Sequence, residues 1–249
     1  MPVFQSAASS QQAPLKRTAT LAPLRVASMS PRRHTMLADC GWALEIVAAD
    51  VDESPLPGES PETLVERLAR SKLAASMSQR PLHPDQWAVA ADTVVALGDE
   101  VLGKPRDAAD AREMLRRLSG CWHRVCSGVA LVGPQESEND EPADDRSEPA
   151  QRTEPRSFVT CTRVQFRALS ETEIAAYVAT GEPLDKAGAY ALQGCAARFV
   201  VRVEGSVTAV IGLPLAELDM AMNAAAARGV ALPARVKMPL GGAQGSCFR

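Results

Sequence analysis

The 249-residue chain lacks long apolar runs, paired cysteines and both common glycine-rich nucleotide loops. No apolar segment approaches the roughly 20 residues needed to cross a bilayer, which argues against a membrane-spanning protein. The six cysteines are scattered without a C-x-x-C pair, so we expect neither a zinc site nor a disulfide framework, and a reducing cytoplasm is the default. The absence of G-x-x-x-x-G-K-[ST] disfavours ATP-driven machinery of that class, and no G-x-G-x-x-G follows a predicted strand.

The negative charge of the chain is concentrated in one segment. The formal net charge is −3, but residues 133–157 hold eight acids against three arginines. The rest of the chain has 24 basic and 22 acidic residues, a net charge of +2. Such a near-neutral body does not suggest nucleic-acid wrapping, and a small anionic ligand fits better.

Composition also predicts the domain organisation. Residues 1–22 are polar and lack the apolar core of a secretory signal, so we expect a disordered extension, with an organellar transit peptide as the alternative. The acidic 133–157 segment is rich in Pro, Glu and Ser and is expected to be a disordered insertion. One domain is therefore predicted over 23–230, followed by a loose tail at 231–249.

Strand-like and helix-like segments alternate through this domain, which predicts an α/β protein. Helices are expected after caps at Ser30, Ser60 and Ser170, the last with Glu173 completing a capping box, and a further helix is expected over 107–118. A final helix is expected over 213–228. Strands are expected at 25–27, 44–48, 87–97, 124–132, 158–167 and 197–203.

Two arginines follow the predicted helix start at Ser30-Pro31. Arg32 and Arg33 add positive charge where the helix dipole is already positive, so local electrostatics opposes the arrangement. Free backbone N–H groups together with guanidinium forks suit a phosphate chain. Two solvated surface arginines are the alternative interpretation.

Two further charged residues stand where an apolar residue is expected. Lys72 continues the apolar stripe of the second helix, and it either extends past the core to solvent or reaches into a cleft. Asp92 interrupts a strand rich in Val and Ala, where a carboxylate is costly unless it is paired or metal-bound. A satisfied structural carboxylate is the alternative for Asp92.

These groups together favour phosphoryl-transfer chemistry. A phosphoryl-transfer site needs cations that bind phosphate and carboxylates that bind a divalent metal. Because the chain offers both, the sequence predicts hydrolysis with Mg²⁺. An ordinary ion pair is the alternative for Asp185 and Lys186. His34, His83 and His123 show no ligand spacing, and no Ser-His-Asp or Cys-His arrangement is present. The candidate groups are Arg32, Arg33, Lys72, Lys104, Lys186, Asp52, Glu53, Asp92 and Asp185.

Ordered motifs over about residues 24–225 resemble the Maf family of nucleoside triphosphate pyrophosphatases. They include Ser28-Met29-Ser30-Pro31-Arg32-Arg33, Ala91-Asp92-Thr93-Val94-Val95, Gly103-Lys104-Pro105, Asp185-Lys186-Ala187-Gly188-Ala189-Tyr190 and Gly212-Leu213-Pro214-Leu215. The resemblance implies an elongated, ITPase-like α/β fold with a central mixed sheet flanked by helices and a deep cleft between two lobes. It also implies a cytoplasmic homodimer that uses Mg²⁺ or Mn²⁺ to hydrolyse a nucleoside triphosphate to the monophosphate and diphosphate.

The resemblance assigns a role to several of the candidate positions. Asp92 corresponds to the family's general base, and Glu53 stands where the family has a metal-associated acid. The phosphate-contacting positions are Ser28, Arg33, Lys72 and Lys104.

Three further positions indicate the substrate. Arg32, Thr93 and Gln193 resemble the branch that hydrolyses dTTP and UTP, whereas the 7-methyl-GTP branch has tryptophan at the first position. A glutamine amide pairs with a pyrimidine imide edge through one donor and one acceptor. A non-catalytic nucleotide-binding regulator of cell division and a pyrophosphatase of 7-methyl-GTP or non-standard purines are the alternative functions.

Departures from the family pattern are few. Met29 replaces a small residue, Val207 stands where tyrosine is common, and Ala191 replaces a glycine. None of them removes a predicted phosphate or metal group, so activity is expected to survive.

Overall fold

The computed structural model describes residues 22–48, 50–134, 155–227 and 230–236. Within these ranges seven strands form one mixed sheet flanked by helices, which confirms the α/β prediction. None of the helices in these ranges is long and apolar enough to cross a bilayer. The N-terminal extension, most of the acidic insertion and most of the C-terminal tail lie outside the described residues, so the predicted domain division stays a prediction.

The sheet has the order β2-β1-β3-β5-β6-β7, and β4 pairs with the end of β3. β1 is parallel to both β2 and β3, and the other pairs are antiparallel. The strands are β1 Leu24–Val26, β2 Leu44–Ile46, β3 Ala88–Leu97, β4 Glu100–Leu102, β5 Trp122–Val132, β6 Arg156–Phe166 and β7 Val200–Glu204. The two long central ladders, β3 with β5 and β5 with β6, fix the register of the sheet.

Side-chain caps begin three of the helices, and those at Ser60 and Ser170 are the ones that the sequence predicts. Ser60 accepts a hydrogen bond from Thr63 N, Asp107 accepts one from Asp110 N, and Ser170 forms the full capping box with Glu173. The helices are α1 Pro31–Asp39, α2 Pro61–Gln79, α3 Ala108–Leu118, α4 Glu171–Val178, α5 Val207–Ile211 and α6 Leu215–Ala226. Each cap satisfies an N–H group that the first helical turn leaves without a partner.

Helix α2 packs directly on the centre of the sheet, because β5 carries a glycine there. A Cβ added to Gly128 would lie 2.3 Å from the carbonyl oxygen of Val65. The close approach buries Leu64 and Leu68 against Val94 of β3. It also places Lys72, two turns along the helix from Val65, over the middle of β3.

Three local expectations were wrong. The strand expected over 197–203 begins at Val200, because Cys195–Phe199 forms 3₁₀ turns that bury Phe199. The short β4, which only tertiary pairing stabilises, was not predicted. The expected last helix is divided: α5 ends at Gly212, whose φ of 131° is incompatible with a helix, and α6 begins after Pro214.

Candidate active site

A cavity of about 600 Å³ opens between the start of α1, helix α2, strand β3 and the turns that follow α4. Its lining contains most of the charged residues that the sequence singles out. Of the candidate residues, Asp52 and Gln193 lie outside the lining. The predicted residues that line it are Ser28, Arg32, Arg33, Glu53, Lys72, Asp92, Thr93 and Lys104.

Lys72 joins two carboxylates at the centre of the cavity. Its Nζ lies 2.5 Å from Asp92 Oδ1 and 2.5 Å from Glu53 Oε1. The side chains of Lys72 and Asp92 are each 11% exposed, whereas that of Glu53 is 48% exposed. The charge on the apolar stripe of α2 and the acid inside β3 are therefore partners of each other.

Glu53 is the accessible member of this cluster. Partial burial opposes its ionisation, but the hydrogen bond and charge of Lys72, with Lys104 and Arg33, outweigh burial and hold the pKa of Glu53 below its usual value. Lys104 Nζ lies 3.9 Å from Glu53 Oε2 and its side chain is 65% exposed. An ionised, accessible carboxylate beside the exposed ammonium of Lys104 is thus available to a ligand.

The loop that leads from β1 into α1 is held by Arg33. Its Nη1 donates to Ser28 Oγ at 3.1 Å, and Ser30 N donates to the same oxygen at 3.1 Å. Helix α1 has no side-chain cap and no acid in its first turn, and Ser30 and Pro31 line the cavity. Its positive end therefore faces the cavity without an anionic partner from its own first turn.

Arg33 also crosses to the opposite side of the cavity. Its Nε donates to Gly212 O at 2.7 Å and its Nη2 donates to Thr93 Oγ1 at 3.1 Å. Burial lowers the pKa of Arg33 from its usual value, and the charge of Asp92 opposes that effect. Three of its five N–H donors are thereby used within the protein.

Thr93 belongs to the same internal network. Its Oγ1 donates to Ser127 Oγ at 2.7 Å and also lies 3.3 Å from Gly212 O. Ser127 Oγ in turn donates to Ala209 O at 2.8 Å. The hydroxyl of Thr93 therefore helps to fix β3, β5 and the α5–α6 connection around the cavity.

Asp185 and Lys186 line the cavity from the turns after α4. They form an ion pair, and the Lys186 side chain is 13% exposed. Burial raises the pKa of Asp185, but Lys186 and the nearby charge of Arg32 outweigh it and lower that pKa overall. Among the described residues, no acidic side chain comes within salt-bridge distance of Arg32, which lines the opposite side.

Gln193 lies on an exposed loop beyond the cavity lining. Two polar residues hold the ends of this loop: Ala191 N donates to Tyr177 Oη at 3.3 Å, and Cys195 N donates to Glu182 Oε2 at 3.1 Å. Tyr177 Oη donates to Glu182 Oε1 at 2.9 Å, which joins the two anchors.

Sequence reasoning missed Tyr190 and His123. Tyr190 lines the cavity, and its hydroxyl lies 2.9 Å from Nε2 of the buried His123. Desolvation lowers the pKa of His123 to about 4, so this ring is neutral at pH 7. No local spacing could reveal the pair, because 67 residues separate its members.

The expectation of unpaired cysteines was wrong. Cys126 of β5 and Cys161 of β6 form a disulfide. These two sulfurs and Glu62 are the one group of three potential metal ligands within the described residues, and none of the three lines the cavity. The pair escaped the sequence analysis because strand register, not spacing along the chain, brings its members together.

Comparisons with known proteins agree with the geometry. The family model described as "Maf-like protein" matches residues 23–225. A "dTTP/UTP pyrophosphatase" of Myxococcus xanthus is 47% identical over 212 residues, covering 85% of this chain and 95% of the relative. Proteins of the same description from Anaeromyxobacter dehalogenans and Vibrio cholerae are 50% and 41% identical, covering 78% and 82% of this chain and 89% and 98% of the relatives. With the family model matching most of its length, the chain belongs to the Maf family.

Proposed function

We propose that this chain is a nucleotide diphosphatase that hydrolyses dTTP and UTP to the nucleoside monophosphate and diphosphate. The observation that carries the proposal is the buried Asp92–Lys72 pair, with the accessible Glu53 on the same ammonium, in a cavity lined by further cations. The printed descriptions of relatives at 41–50% identity supply the substrate class.

We assign Asp92 as the general base that activates the attacking water. Lys72 occupies Oδ1, which leaves Oδ2 to accept the proton as the water oxygen attacks the α-phosphorus. The bond from the α-phosphorus to the bridging oxygen then breaks and diphosphate leaves. Burial of Asp92 in β3 fixes the direction of the carboxylate.

The cations around this carboxylate are assigned to the phosphates. Lys72 and Lys104 flank Glu53, and Arg33 holds Ser28 at the end of α1. The uncapped α1 N-terminus adds backbone N–H groups to the same side. Their combined charge stabilises the negative charge that develops on the diphosphate.

The cavity also fits a divalent cation. Oxygens of Glu53 and Asp92 converge on one ammonium group, so a single positive centre already satisfies both carboxylates. Mg²⁺ and Mn²⁺ prefer such oxygen ligands, and in nucleotide sites one or two carboxylates are completed by substrate phosphates. We assign Glu53 as the principal protein ligand of the metal, because it is the exposed member of the cluster. If Glu53 rotates away from Lys72 toward the metal, Lys72 remains paired with Asp92. When bound, the metal supplies charge neutralisation to the phosphate chain.

Substrate choice is assigned to Arg32, Thr93 and Gln193. Arg32 and Thr93 line the cavity, and Gln193 would reach the base from the loop outside it. The cytoplasmic location and the homodimer are part of the same proposal. Light scattering on the eluted chromatographic peak measures the oligomeric state directly.

Diphosphate release tests the proposal. Purified protein is assayed with Mg²⁺ or Mn²⁺ on dTTP, UTP, CTP, dATP, GTP and 7-methyl-GTP. We expect turnover of dTTP and UTP, and a loss of ~10²- to 10⁴-fold in kcat for Asp92→Asn. Asp99→Asn is the matched control, because Asp99 is fully exposed just beyond the same strand and pairs with Arg124.

The outcomes separate the proposed function from its alternatives. Preferred turnover of 7-methyl-GTP or a non-standard purine would retain the chemistry and overturn the substrate class. Nucleotide binding without diphosphate release would favour the regulator. Near-normal turnover by Asp92→Asn would remove Asp92 from the reaction.

A further inference from the structure

A disulfide joins the two central antiparallel strands outside the cavity. Cys126 of β5 stands directly opposite Cys161 of β6, and their Cα atoms are 4.1 Å apart. Cys126 is fully buried, whereas Cys161 is exposed. One sulfur of the pair can therefore meet a reagent from solvent and the other cannot.

The disulfide is not needed to align the strands. β5 and β6 pair continuously from Trp122 opposite Gln165 to Leu131 opposite Arg156. The cysteines are two directly opposed members of this ladder, so they stay adjacent when the sulfurs are reduced. Such proximity lets the bond break and form again without rearrangement of the sheet.

A carboxylate lies against both sulfurs. Glu62 Oε1, in the first turn of α2, is 3.9 Å from Cys126 Sγ and 3.7 Å from Cys161 Sγ. Arg124 forms an ion pair with Glu62 and so orients that carboxylate. The reduced thiols would find in Glu62 a proton acceptor that already touches them.

We propose that Cys161 and Cys126 are a thiol modification site for low-molecular-mass disulfides of the glutathione class. The Cys161 thiolate attacks the small disulfide, forms a mixed disulfide and releases one small thiolate. Cys126 then gives its proton to Glu62, attacks Cys161 Sγ and releases the second small thiolate. Two protein thiols are oxidised and one small disulfide is reduced to two thiols. In the reverse direction a small thiol attacks the exposed Cys161 sulfur.

The modification site lies one layer behind the cavity wall. Cys126 packs with Leu64, Leu68 and Val94, whose side chains also line the cavity. Neither cysteine lines the cavity, so the proposal does not rest on nucleotide hydrolysis and is tested without an activity assay.

Differential alkylation with peptide mass spectrometry tests it. The protein is reduced, freed of reductant and equilibrated with mixtures of reduced and oxidised glutathione. We expect wild type to lose two alkylatable thiols and to yield a linked Cys126–Cys161 peptide pair. Cys126→Ala should instead retain a glutathionyl group on Cys161. Cys161→Ala should leave the buried Cys126 unmodified.

Matched controls exist for the exposed sulfur and for the carboxylate. Cys40 and Cys195 are exposed free cysteines, and their own reaction with oxidised glutathione should be the same in wild type, Cys126→Ala and Cys161→Ala. Glu62→Gln should make the mixed disulfide of the otherwise wild-type chain accumulate. Glu66→Gln, one turn further along α2, should not.

The closed loop also provides a physical readout in the wild type. The cysteines are 35 residues apart, and a cross-link of that span should raise Tm by about 8–15 °C in the oxidised protein. A protein that forms no Cys126–Cys161 link at any glutathione ratio would overturn the proposal. So would zinc held by the reduced Cys126, Cys161 and Glu62 that blocks both alkylation and exchange.

Discussion

Lys72→Met isolates the electrostatic core of the candidate site. Methionine keeps the length and apolar stem of lysine but removes the ammonium that lies 2.5 Å from both Asp92 Oδ1 and Glu53 Oε1. Glu53 is half exposed and can hydrate, whereas Asp92 is 11% exposed and loses its charged partner. The loss of unfolding free energy is therefore expected to arise mainly from Asp92, whose charge stays buried without its partner.

Removing one member of a buried ion pair costs about 3–5 kcal/mol of unfolding free energy, because the other charge stays buried without compensation. With a urea m-value of about 2–3 kcal/mol per molar for a chain of this size, the unfolding midpoint should fall by about 1–2.5 M. Lys104→Met is the matched control. Its ammonium is 65% exposed and 3.9 Å from Glu53, so we expect a loss below ~1 kcal/mol.

Urea unfolding followed by circular dichroism at pH 7 measures both losses. Adding Asp92→Asn to Lys72→Met should restore part of the stability, because the double variant no longer buries an unpaired charge. Turnover cannot replace the stability measurement here, since Lys72→Met and Asp92→Asn are each expected to abolish turnover. If Lys72→Met costs no more than Lys104→Met, the buried cluster does not hold the strand and helix together and the reasoning fails.

Three more predictions concern a buried histidine, a close backbone contact and the proposed base-recognition residue. Burial holds the pKa of His123 at about 4, below the unfolded value of about 6.5, so stability should decrease by about 3 kcal/mol as pH falls from 7 to 4. His123→Gln should flatten this dependence. Gly128→Ala should cost about 1–3 kcal/mol, because its Cβ would collide with the Val65 carbonyl. Gln193→Glu should lower kcat/KM for dTTP and UTP, since a carboxylate replaces the amide donor.

Each of these has its own measurement. Urea midpoints at a series of pH values test His123, and an equally acid-sensitive His123→Gln would contradict the assignment. Gly103→Ala is the control for Gly128→Ala, because nothing lies within 4 Å of a Cβ at Gly103. Equal stability of the two glycine variants would refute the close-contact argument. Unchanged kcat/KM for both pyrimidine nucleotides would remove Gln193 from recognition.

Local signals in the sequence predicted much of the fold. Caps at Ser60 and Ser170 satisfy backbone groups within three residues, so a short stretch of sequence is enough to predict them. The same locality explains the errors at β4 and at Cys195–Phe199, where tertiary packing decides the backbone conformation.

The charged cluster could be recognised because each member violates a local rule. Lys72 interrupts an apolar stripe and Asp92 an apolar strand, and the structure pairs them. Cys126 violates no local rule, because a buried cysteine is common, and Cys161 at an exposed position requires no partner either. Their pairing depends on the β5–β6 register, which no short window contains.

The two arginines at the start of α1 show how one sequence signal divides into two roles. Consecutive helical residues point about 100° apart, so Arg32 and Arg33 cannot serve the same neighbour. Arg33 turns inward and reaches Gly212, 179 residues away in the chain, together with Thr93 and Ser28. Arg32 stays at the cavity wall without an acidic partner among the described residues. A substitution of Arg33 should therefore disturb both the loop and the phosphate contacts, whereas a substitution of Arg32 should change ligand recognition and leave the fold intact.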